Sequence, residues 1–383
     1  MIKNCLRILA LVGVFSILVG CDKDNTPAPT PLSKMAPDAL QLNVAWSLNP
    51  TNGADSRYVT IGSGMSSNVL VSAGVNGSVV AIDADKGKEL WHISLPAPVS
   101  ATPALNDTAV FATTFNGYLY ALKQSNGQVL WRVELPSSVL GSPAATDDVV
   151  IVHCHDGSVE AYAADTGRVL WSFNANVPPL TLYAGSSPLI NNGKVFVGFA
   201  NGQVTAFDLY QGTALWQSPV ALPSSPYAVG NMVDVTANPI FDNNAIFTVA
   251  YHGNIMALNT TNGSIIWGAT VSSYQTPSVA SMRVAVTDET GKVILYDESS
   301  GQELWEQKDL LYRFVSPPAI FGNSVIVGDY AGYVHFLSLT DGSPLARINV
   351  DSKGIRAQPL IYGNTIIITT NSGKIVALEI KGS

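Results

Sequence analysis

Along most of the chain, short apolar segments that alternate with polar residues at period two are separated by turns containing Gly or Asn. Residues 102–134 show the pattern in full, with Asn116-Gly117 at the position of a tight hairpin turn. The four segments of this stretch follow Pro103, span 109–114, span 118–123 and surround Trp131. No helical period competes with this reading, so the pattern predicts four antiparallel strands.

The same unit recurs with fixed spacing. The hairpin glycines are Gly77, Gly117, Gly157, Gly202, Gly253, Gly291, Gly332 and Gly373. The first seven are followed by a second Gly and then by Trp91, Trp131, Trp171, Trp216, Trp267 or Trp305, with Ala346 as the exception in the seventh. A Pro lies at one position in every unit but the first, which gives the frame Pro-x13-Gly-x9-Gly-x3-Trp. Four-stranded units of this length are typical of β-propeller blades, so the fold class predicted is all-β.

The two ends of the chain determine the number of blades. The last unit stops ten residues after Gly373 and has room for only three strands. An extra strand, Leu42–Leu48, precedes the first unit. Pairing it beside residues 374–380 would complete the last blade and cover an exposed sheet edge. We therefore predict that residues 41–383 form one closed, eight-bladed β-propeller of four-stranded antiparallel blades.

Composition supports a large exported globular domain. The chain is 47% hydrophobic and 13% charged, with 28 acidic against 20 basic residues. No run of basic residues occurs, so nucleic acid is excluded as a partner on electrostatic grounds. The low charge is consistent with stacked sheets that bury both faces.

The N-terminal segment has the layout of an export signal. Lys3 and Arg7 precede an apolar stretch that is too short to span a bilayer and that ends at Gly20-Cys21. This ending resembles the bacterial lipoprotein box, which implies a signal peptide at 1–20 and lipidation of Cys21. Residues 21–40, rich in Pro, Asp and Thr, are expected to be a flexible tether. After processing, Cys154 has no partner for an internal disulfide, and an apolar setting favours a buried thiol over a nucleophile.

Length variation is confined to the link from the Trp of one unit to the Pro of the next. The link grows to 17 residues after Trp171 and to 23 residues after Trp216. Insertions in one type of link project from one face of a repeat protein, and adjacent ones form a prominence. Because the first insertion carries Leu180 and Leu182, we interpret it as a protein-binding surface. Folding of these leucines back onto the ring is the alternative.

Three segments carry a resemblance to a known family. VPPLTLYAGSSP, NMVDVTANP and DLLYRFVSPPAIFGNSVIVGDYAGYVHF, with the lipoprotein box, resemble the BamB family, the lipoprotein component of the outer-membrane β-barrel assembly machinery. The resemblance covers essentially the whole mature chain. It implies a non-enzymatic scaffold lipoprotein that binds the periplasmic domains of the barrel subunit, BamA, and assists the folding and insertion of outer-membrane proteins.

The resemblance also implies a partner-binding site. The family uses a Leu-x-Leu-Arg loop and a nearby Asp-x-Asp pair. Leu180 and Leu182 match the leucines, whereas Tyr183 stands at the Arg position; Asp234 matches the first acid, and Thr236 replaces the second. The apolar part is therefore kept and the charged part is changed, which fits either an altered partner or a weakened interface.

An enzyme is the main alternative. The segments AIDADKGKELW and AFDLYQGTALW resemble the repeat of quinoprotein dehydrogenases, whose eight-bladed propellers hold pyrroloquinoline quinone. The adjacent cysteine pair and the long insertions of those enzymes are missing, and His153 and His155 alone are too few ligands for a metal site. We expect no catalytic residues, no cofactor, no metal and no small-molecule substrate. Nascent outer-membrane proteins, added as strands at a blade edge, are a further candidate partner.

The expected location follows from the lipid and the family. The lipid at Cys21 implies an anchor in a membrane, and the family resemblance implies the periplasmic face of the outer membrane. Asp22 is the residue that retains many lipoproteins in the inner membrane, so that location stays open.

Overall fold

The structure, a computed structural model, describes residues 27–35, 40–54, 59–223 and 232–381. The expected signal peptide, Cys21 and Asp22 lie outside the described residues, and processing, lipidation and sorting remain predictions. Within the described ranges, all regular secondary structure is β-strand. No helix in these ranges is long and apolar enough to cross a membrane.

The strands form eight sheets of four, which we number as blades in chain order. Blade 1 contains β2 (Ser63–Ser66), β3 (Val69–Ala73), β4 (Ser78–Asp83) and β5 (Lys88–Ser94); blade 2 contains β6 (Ala104–Leu105), β7 (Ala109–Thr114), β8 (Tyr118–Lys123) and β9 (Val129–Glu134); blade 3 contains β10 (Ala144–Ala145), β11 (Val149–His153), β12 (Ser158–Ala163) and β13 (Val169–Asn174); blade 4 contains β14 (Leu189–Asn191), β15 (Lys194–Gly198), β16 (Gln203–Asp208) and β17 (Ala214–Pro219). Blade 5 contains β18 (Ile240–Asp242), β19 (Ala245–Val249), β20 (Asn254–Asn259) and β21 (Ile265–Thr270); blade 6 contains β22 (Ser278–Ala280), β23 (Arg283–Thr287), β24 (Val293–Asp297) and β25 (Glu303–Gln307); blade 7 contains β26 (Ala319–Phe321), β27 (Ser324–Gly328), β28 (Tyr333–Ser338) and β29 (Pro344–Asn349); blade 8 contains β30 (Leu360–Tyr362), β31 (Thr365–Thr369), β32 (Ile375–Ile380) and β1 (Leu42–Leu48).

Blade 8 closes the ring in the predicted way. Strand β1 pairs antiparallel with β32, from Leu42 opposite Ile380 to Leu48 opposite Ile375. Blade 8 then packs against blade 1, where the Ser63 and Thr369 hydroxyls lie 2.8 Å apart. The predicted eight-bladed propeller, with its last blade completed by the N-terminal strand, is therefore confirmed.

The repeated Trp and the repeated second Gly belong to one contact between neighbouring blades. Each indole packs on the second Gly of the following blade and donates its N–H to the carbonyl three residues before that Gly. The seven donor and acceptor pairs are Trp46 with Ala84, Trp91 with Gln124, Trp131 with Ala164, Trp171 with Leu209, Trp216 with Thr260, Trp267 with Glu298, and Trp305 with Leu339. The repeated spacing Gly-x3-Trp therefore reflects packing between neighbouring blades.

Ala346 replaces Trp at the one interface where this contact cannot form. The next blade is blade 8, and there the turn that would carry the second Gly is replaced by the two ends of the chain. Ala346 is buried in a cluster with Ile366 and Leu378, and Leu40 packs against that cluster. The Leu40 N–H donates to the Leu345 carbonyl oxygen. The exception in the repeat therefore marks the site where the N-terminal segment joins the ring.

The two faces of the ring differ in their connections. Because successive strands of a blade are antiparallel, the links between blades share one face with the hairpins that join second to third strands. We call this the link face. The turns that carry the second Gly lie on the opposite face. Both inserted links, after Trp171 and after Trp216, consequently lie on the link face on either side of blade 4.

Candidate functional site

The central channel has a polar lining that the blades build together. The residue before the blade Pro accepts a hydrogen bond from the backbone N–H of its counterpart in the preceding blade at several interfaces. The observed pairs are Gly62 to Thr102 at 2.7 Å, Ser142 to Ser187 at 2.8 Å, Ser187 to Asn238 at 2.8 Å and Asn238 to Thr276 at 3.1 Å. These bonds hold the innermost strands in register, and they fix the points from which the link-face loops leave.

A cavity of about 900 Å³ opens at the centre of the ring. Side chains from several links line it, among them Leu182, Tyr183, Tyr274, Phe314 and Arg356. Most of these are apolar or aromatic. Among the described residues that line the cavity, Arg356 is the one cationic side chain, and none is a carboxylate.

Residues 177–184, which we call the partner loop, form the part of the first insertion that borders this cavity. The Leu182 N–H donates to Asp234 Oδ1 at 2.9 Å, which ties the first insertion to the second. At the start of the loop, Val177 packs over Gly157 so closely that a Cβ at Gly157 would lie 2.4 Å from Val177 Cγ2. The loop is therefore held at both ends against the ring.

The structure brings the five predicted partner-binding residues into one region but gives them different environments. Leu180 is 41% exposed and Tyr183 is 51% exposed, while Leu182 is half-buried. Asp234 and Thr236 are buried, Asp234 with only 1% exposure. Leu180, Leu182 and Tyr183 can touch a partner directly. Asp234 supports the loop from below, so any effect of that residue on binding would be transmitted through the Leu182 backbone.

The buried pair has unmatched polar atoms. Burial raises the pKa of the Asp234 carboxyl, and the bond from Leu182 opposes this rise. Asp234 Oδ2 and Thr236 Oγ1 are buried and have no hydrogen-bond partner among the described residues.

The histidines next to the loop are structural. His153 Nδ1 lies 3.0 Å from the Ser186 carbonyl oxygen, and its ring packs edge-on against Phe199. Burial lowers the pKa of His153. The ring of His155 packs edge-on against exposed Tyr183, at 5.4 Å between centroids. In the described parts of the chain, no group of three or more His, Cys, Asp or Glu side chains could hold a metal ion.

Cys154 lies between these histidines and is buried. Burial raises the pKa of its thiol to about 11. We expect iodoacetamide at pH 8 to label Cys154 in the folded chain roughly a hundredfold more slowly than in the urea-unfolded chain, because the thiolate is the reactive form. Mass spectrometry of the labelled peptide measures both rates. Equal rates would show that the thiol is accessible and ionised, contrary to the structure.

A second cluster on the link face escaped the sequence analysis. Arg313 donates from Nε and Nη2 to Asp329 Oδ2 at 2.9 and 2.7 Å, and His335 Nε2 lies 3.1 Å from the same oxygen. All three side chains are buried. Burial alone would raise the pKa of Asp329, but His335 and Arg313 together bring it below its usual value. The ion pair turns Arg313 inward and leaves the next residue, Phe314, 59% exposed with φ 47° at the cavity.

Part of what was missed could have been read from the repeat. The channel-lining residues occupy the position before the blade Pro, and Thr102, Ser142, Ser187, Asn238 and Thr276 are all polar there. The Arg313 cluster has no such signal, since its members occur once and at unrelated positions in the frame.

The fold and the site together define a class: a β-propeller with PQQ-like repeats whose central cavity combines a polar lining with apolar and aromatic side chains from the links, and whose described lining residues include no carboxylate. A family model described as "Outer membrane protein assembly factor BamB" matches residues 75–307 and 289–383. The Pseudomonas aeruginosa protein of that name is 40% identical over 374 residues, which covers 97% of this chain and 98% of the relative. The chain belongs to the BamB family. This membership confirms the resemblance seen in the sequence and the expectation of a non-enzymatic assembly factor.

Solved structures agree on the fold. BamB from Moraxella catarrhalis superposes with a TM-score of 0.82 at 22% identity, covering 89% of this chain and 100% of that chain. A quinohemoprotein alcohol dehydrogenase from Comamonas testosteroni gives a TM-score of 0.70 at 13% identity, covering 89% of this chain and 77% of that one. At these identities the likeness concerns the fold alone. The quinoprotein dehydrogenases therefore share the architecture with this chain, and the likeness goes no further.

Proposed function

We propose that the chain is a scaffold lipoprotein of the outer-membrane β-barrel assembly machinery, attached through Cys21 to the periplasmic face of the outer membrane. In this role it binds the periplasmic domains of the barrel subunit and so assists folding and insertion of outer-membrane proteins. Membership in a family of outer membrane protein assembly factors supports the proposal. The observation that supports contact with the barrel subunit is the partner loop, which holds exposed apolar side chains beside the cavity.

The chemistry of the loop fits a protein partner. Leu180 and Tyr183 are exposed, and a supported loop pays little ordering entropy when it binds. Aromatic and apolar side chains at the centre of a contact commonly supply most of its binding energy. We expect Leu180, Leu182 and Tyr183 to form that centre and Asp234 and Thr236 to hold it in place.

The cavity does not fit pyrroloquinoline quinone. That cofactor carries three carboxylates and is bound with a divalent cation, so its site needs several cationic groups and at least one carboxylate ligand. The described lining residues supply Arg356 and no carboxylate. This lining favours the scaffold role over a quinone-dependent enzyme.

Extraction of the native lipoprotein in mild detergent, followed by identification of the co-purifying proteins, tests the proposal. We expect the barrel subunit in stoichiometric amount and no absorbance in the quinone region. A bound chromophore, or a preparation without the barrel subunit, would contradict it. Crosslinkers placed in the partner loop and, separately, on the outer strand near Trp131 would distinguish the subunit from nascent client chains bound at a blade edge.

Two substitutions of Asp234 show whether this residue supports the loop or is recognised by the partner through its charge. Asp234→Asn keeps an oxygen that can accept from the Leu182 N–H, so affinity for the barrel subunit should stay within about threefold. Asp234→Ala removes that oxygen, and loss of a buried hydrogen bond of about 1–3 kcal/mol should weaken binding about tenfold or more. Surface plasmon resonance measures both affinities.

Asp165→Ala is the matched control, because Asp165 is exposed on the opposite face. It should bind as the unaltered chain does. If Asp234→Asn were as damaging as Asp234→Ala, the negative charge itself would be the recognised feature.

A further inference from the structure

Residues 27–35, which belong to the expected tether, lie against the ring. The Thr30 N–H donates to the Leu311 carbonyl oxygen at 3.0 Å, and Arg313 Nη1 donates to the Thr30 carbonyl oxygen at 3.1 Å. Further along, Arg347 Nη2 donates to the Ser33 carbonyl oxygen at 3.0 Å. These bonds involve the backbone of the segment. We call residues 27–35 the N-terminal strap.

The strap also has an apolar anchor. Leu32 packs against the core cluster that contains Leu310, Val315 and Leu337, at the boundary of blades 6 and 7. Leu32, Ser33 and Met35 line one small cavity together with Ala346. The small side chain at 346, where the frame otherwise has Trp, thus borders the path of the strap. A Trp there would project into space that the strap and Leu40 use.

The strap contacts a buried ion pair of the ring, Arg313 with Asp329. Arg313 is buried, its Nε and Nη2 both bind Asp329, and its remaining terminal nitrogen binds the strap. Its neighbours Tyr312 and Phe314 both have left-handed φ values, 59° and 47°, which bulky residues seldom adopt. Contacts that include the strap hold the local backbone in this shape. The strap therefore helps to fix the conformation of the link after blade 6.

The strap runs across the edge of the ring. Thr30 is bonded to the link between blades 6 and 7, on the link face, whereas Leu40 is bonded to Leu345 at the start of β29, near the opposite face. Passing from Leu40 back to Thr30, the chain therefore moves from the opposite face to the link face. The partner loop lies on the link face too, and Phe314 and Tyr183 line the same cavity.

We propose that the N-terminal strap is a docking element that fixes where the lipid-bearing end leaves the ring: at the link between blades 6 and 7, on the face that carries the partner loop. Lipidation of Cys21 is part of the proposed function, so this inference rests on that function. Thr30 is nine residues after Cys21, which limits the distance from lipid to ring to about 30 Å. If the segment were free up to Leu42, the limit would be about 70 Å. The strap thus positions the membrane anchor and the partner site on one side of the molecule.

Limited trypsin digestion of the full lipoprotein in detergent tests docking without any partner. Cleavage after Lys34 requires the strap to leave the ring. In the unaltered chain we expect this cleavage to be at least tenfold slower than in Leu32→Asp, which removes the apolar anchor. Leu90→Asp, at an exposed leucine on blade 1, is the matched control and should behave as the unaltered chain does. Equal cleavage rates in the unaltered chain and Leu32→Asp would overturn the proposal.

A membrane measurement tests the position of the anchor. Fluorophores attached at Asp309→Cys, beside the strap, and at Asp165→Cys, on the opposite face of blade 3, are compared in vesicles that contain a headgroup quencher. We expect stronger quenching at 309 than at 165, and a smaller difference when Leu32→Asp is added. Equal quenching at both positions would overturn the assigned exit point. Neither readout involves the barrel subunit, so a failed partner interaction would be recognised separately.

Discussion

Trp171→Ala should lower the free energy of unfolding by about 3–5 kcal/mol, the range for truncating a large buried aromatic side chain. Trp171 is 8% exposed and donates its indole N–H to the Leu209 carbonyl oxygen at 2.8 Å. It also stacks on Phe207 and covers Gly212 of the next blade. The substitution therefore removes apolar contact area, a hydrogen bond and the seal between blades 3 and 4. Equilibrium unfolding in guanidinium chloride measures the loss.

The same interface can be tested from its other side. A Cβ at Gly212 would lie 2.5 Å from the Trp171 indole, and Gly212 has φ 68°, so Gly212→Ala should also destabilise the ring. Ile265→Ala is the control, because Ile265 is an exposed outer-strand residue and should change stability by no more than about 0.5 kcal/mol. A loss below about 1 kcal/mol for Trp171→Ala would mean that the repeated Trp is not a main contact between blades.

The blades could be predicted because their determinants are local. Turn residues such as Asn116-Gly117 and the alternation around Trp131 act within a few residues of each strand, and both lie where expected, in the hairpin after β7 and in β9. Closure of the ring was predictable for a different reason. The last unit has three strands, and one strand, Leu42–Leu48, has no partner in its own unit. Pairing the two completes the last blade, and β1 indeed pairs with β32.

The candidate site was predictable in position and less so in detail. Link lengths place the prominence beside blade 4, because an insertion must emerge where the frame permits extra residues. Exposure of individual side chains depends on contacts between distant segments. The Leu182 N–H donates to Asp234, 52 residues away, and Asp234 is buried, although the family resemblance had implied a contact residue.

The N-terminal segment shows the same limit more clearly. Its Pro-rich composition predicted a tether without structure, since composition registers the lack of a repeating apolar period. The contacts of residues 27–35 with the ring come from a single leucine, Leu32, and from backbone groups at Thr30 and Ser33, which accept hydrogen bonds from Arg313 and Arg347. Because the ring supplies most of the contacting groups, the sequence of the docking segment shows no recognisable pattern. The sequence feature that marks the contact lies in the ring, where Ala346 replaces Trp.

Leu182→Glu should abolish co-purification with the barrel subunit, an affinity loss of about a hundredfold or more, if the partner loop is the centre of the interface. Leu182 lines both the pocket beneath the loop and the central cavity. A carboxylate there would be costly to bury under a partner, and it would lie close to the buried Asp234 carboxyl. The circular dichroism spectrum should be unchanged, because the loop lies outside the blade strands. Leu90→Glu, at an exposed leucine of β5, should retain full binding.

Leu180→Glu separates two effects on binding that Leu182→Glu would combine, loss of a direct contact and release of the loop. Leu182 both faces the cavity and carries the N–H that binds Asp234, so its substitution can act by contact or by releasing the loop. Leu180 is 41% exposed, and its side chain carries no group that could hold the loop by a hydrogen bond. If the apolar side chains contact the partner, Leu180→Glu should weaken binding by a similar factor. Undiminished co-purification of both variants would refute a partner site at this loop, whereas loss in Leu182→Glu alone would show that loop position, and not the exposed leucine, governs binding.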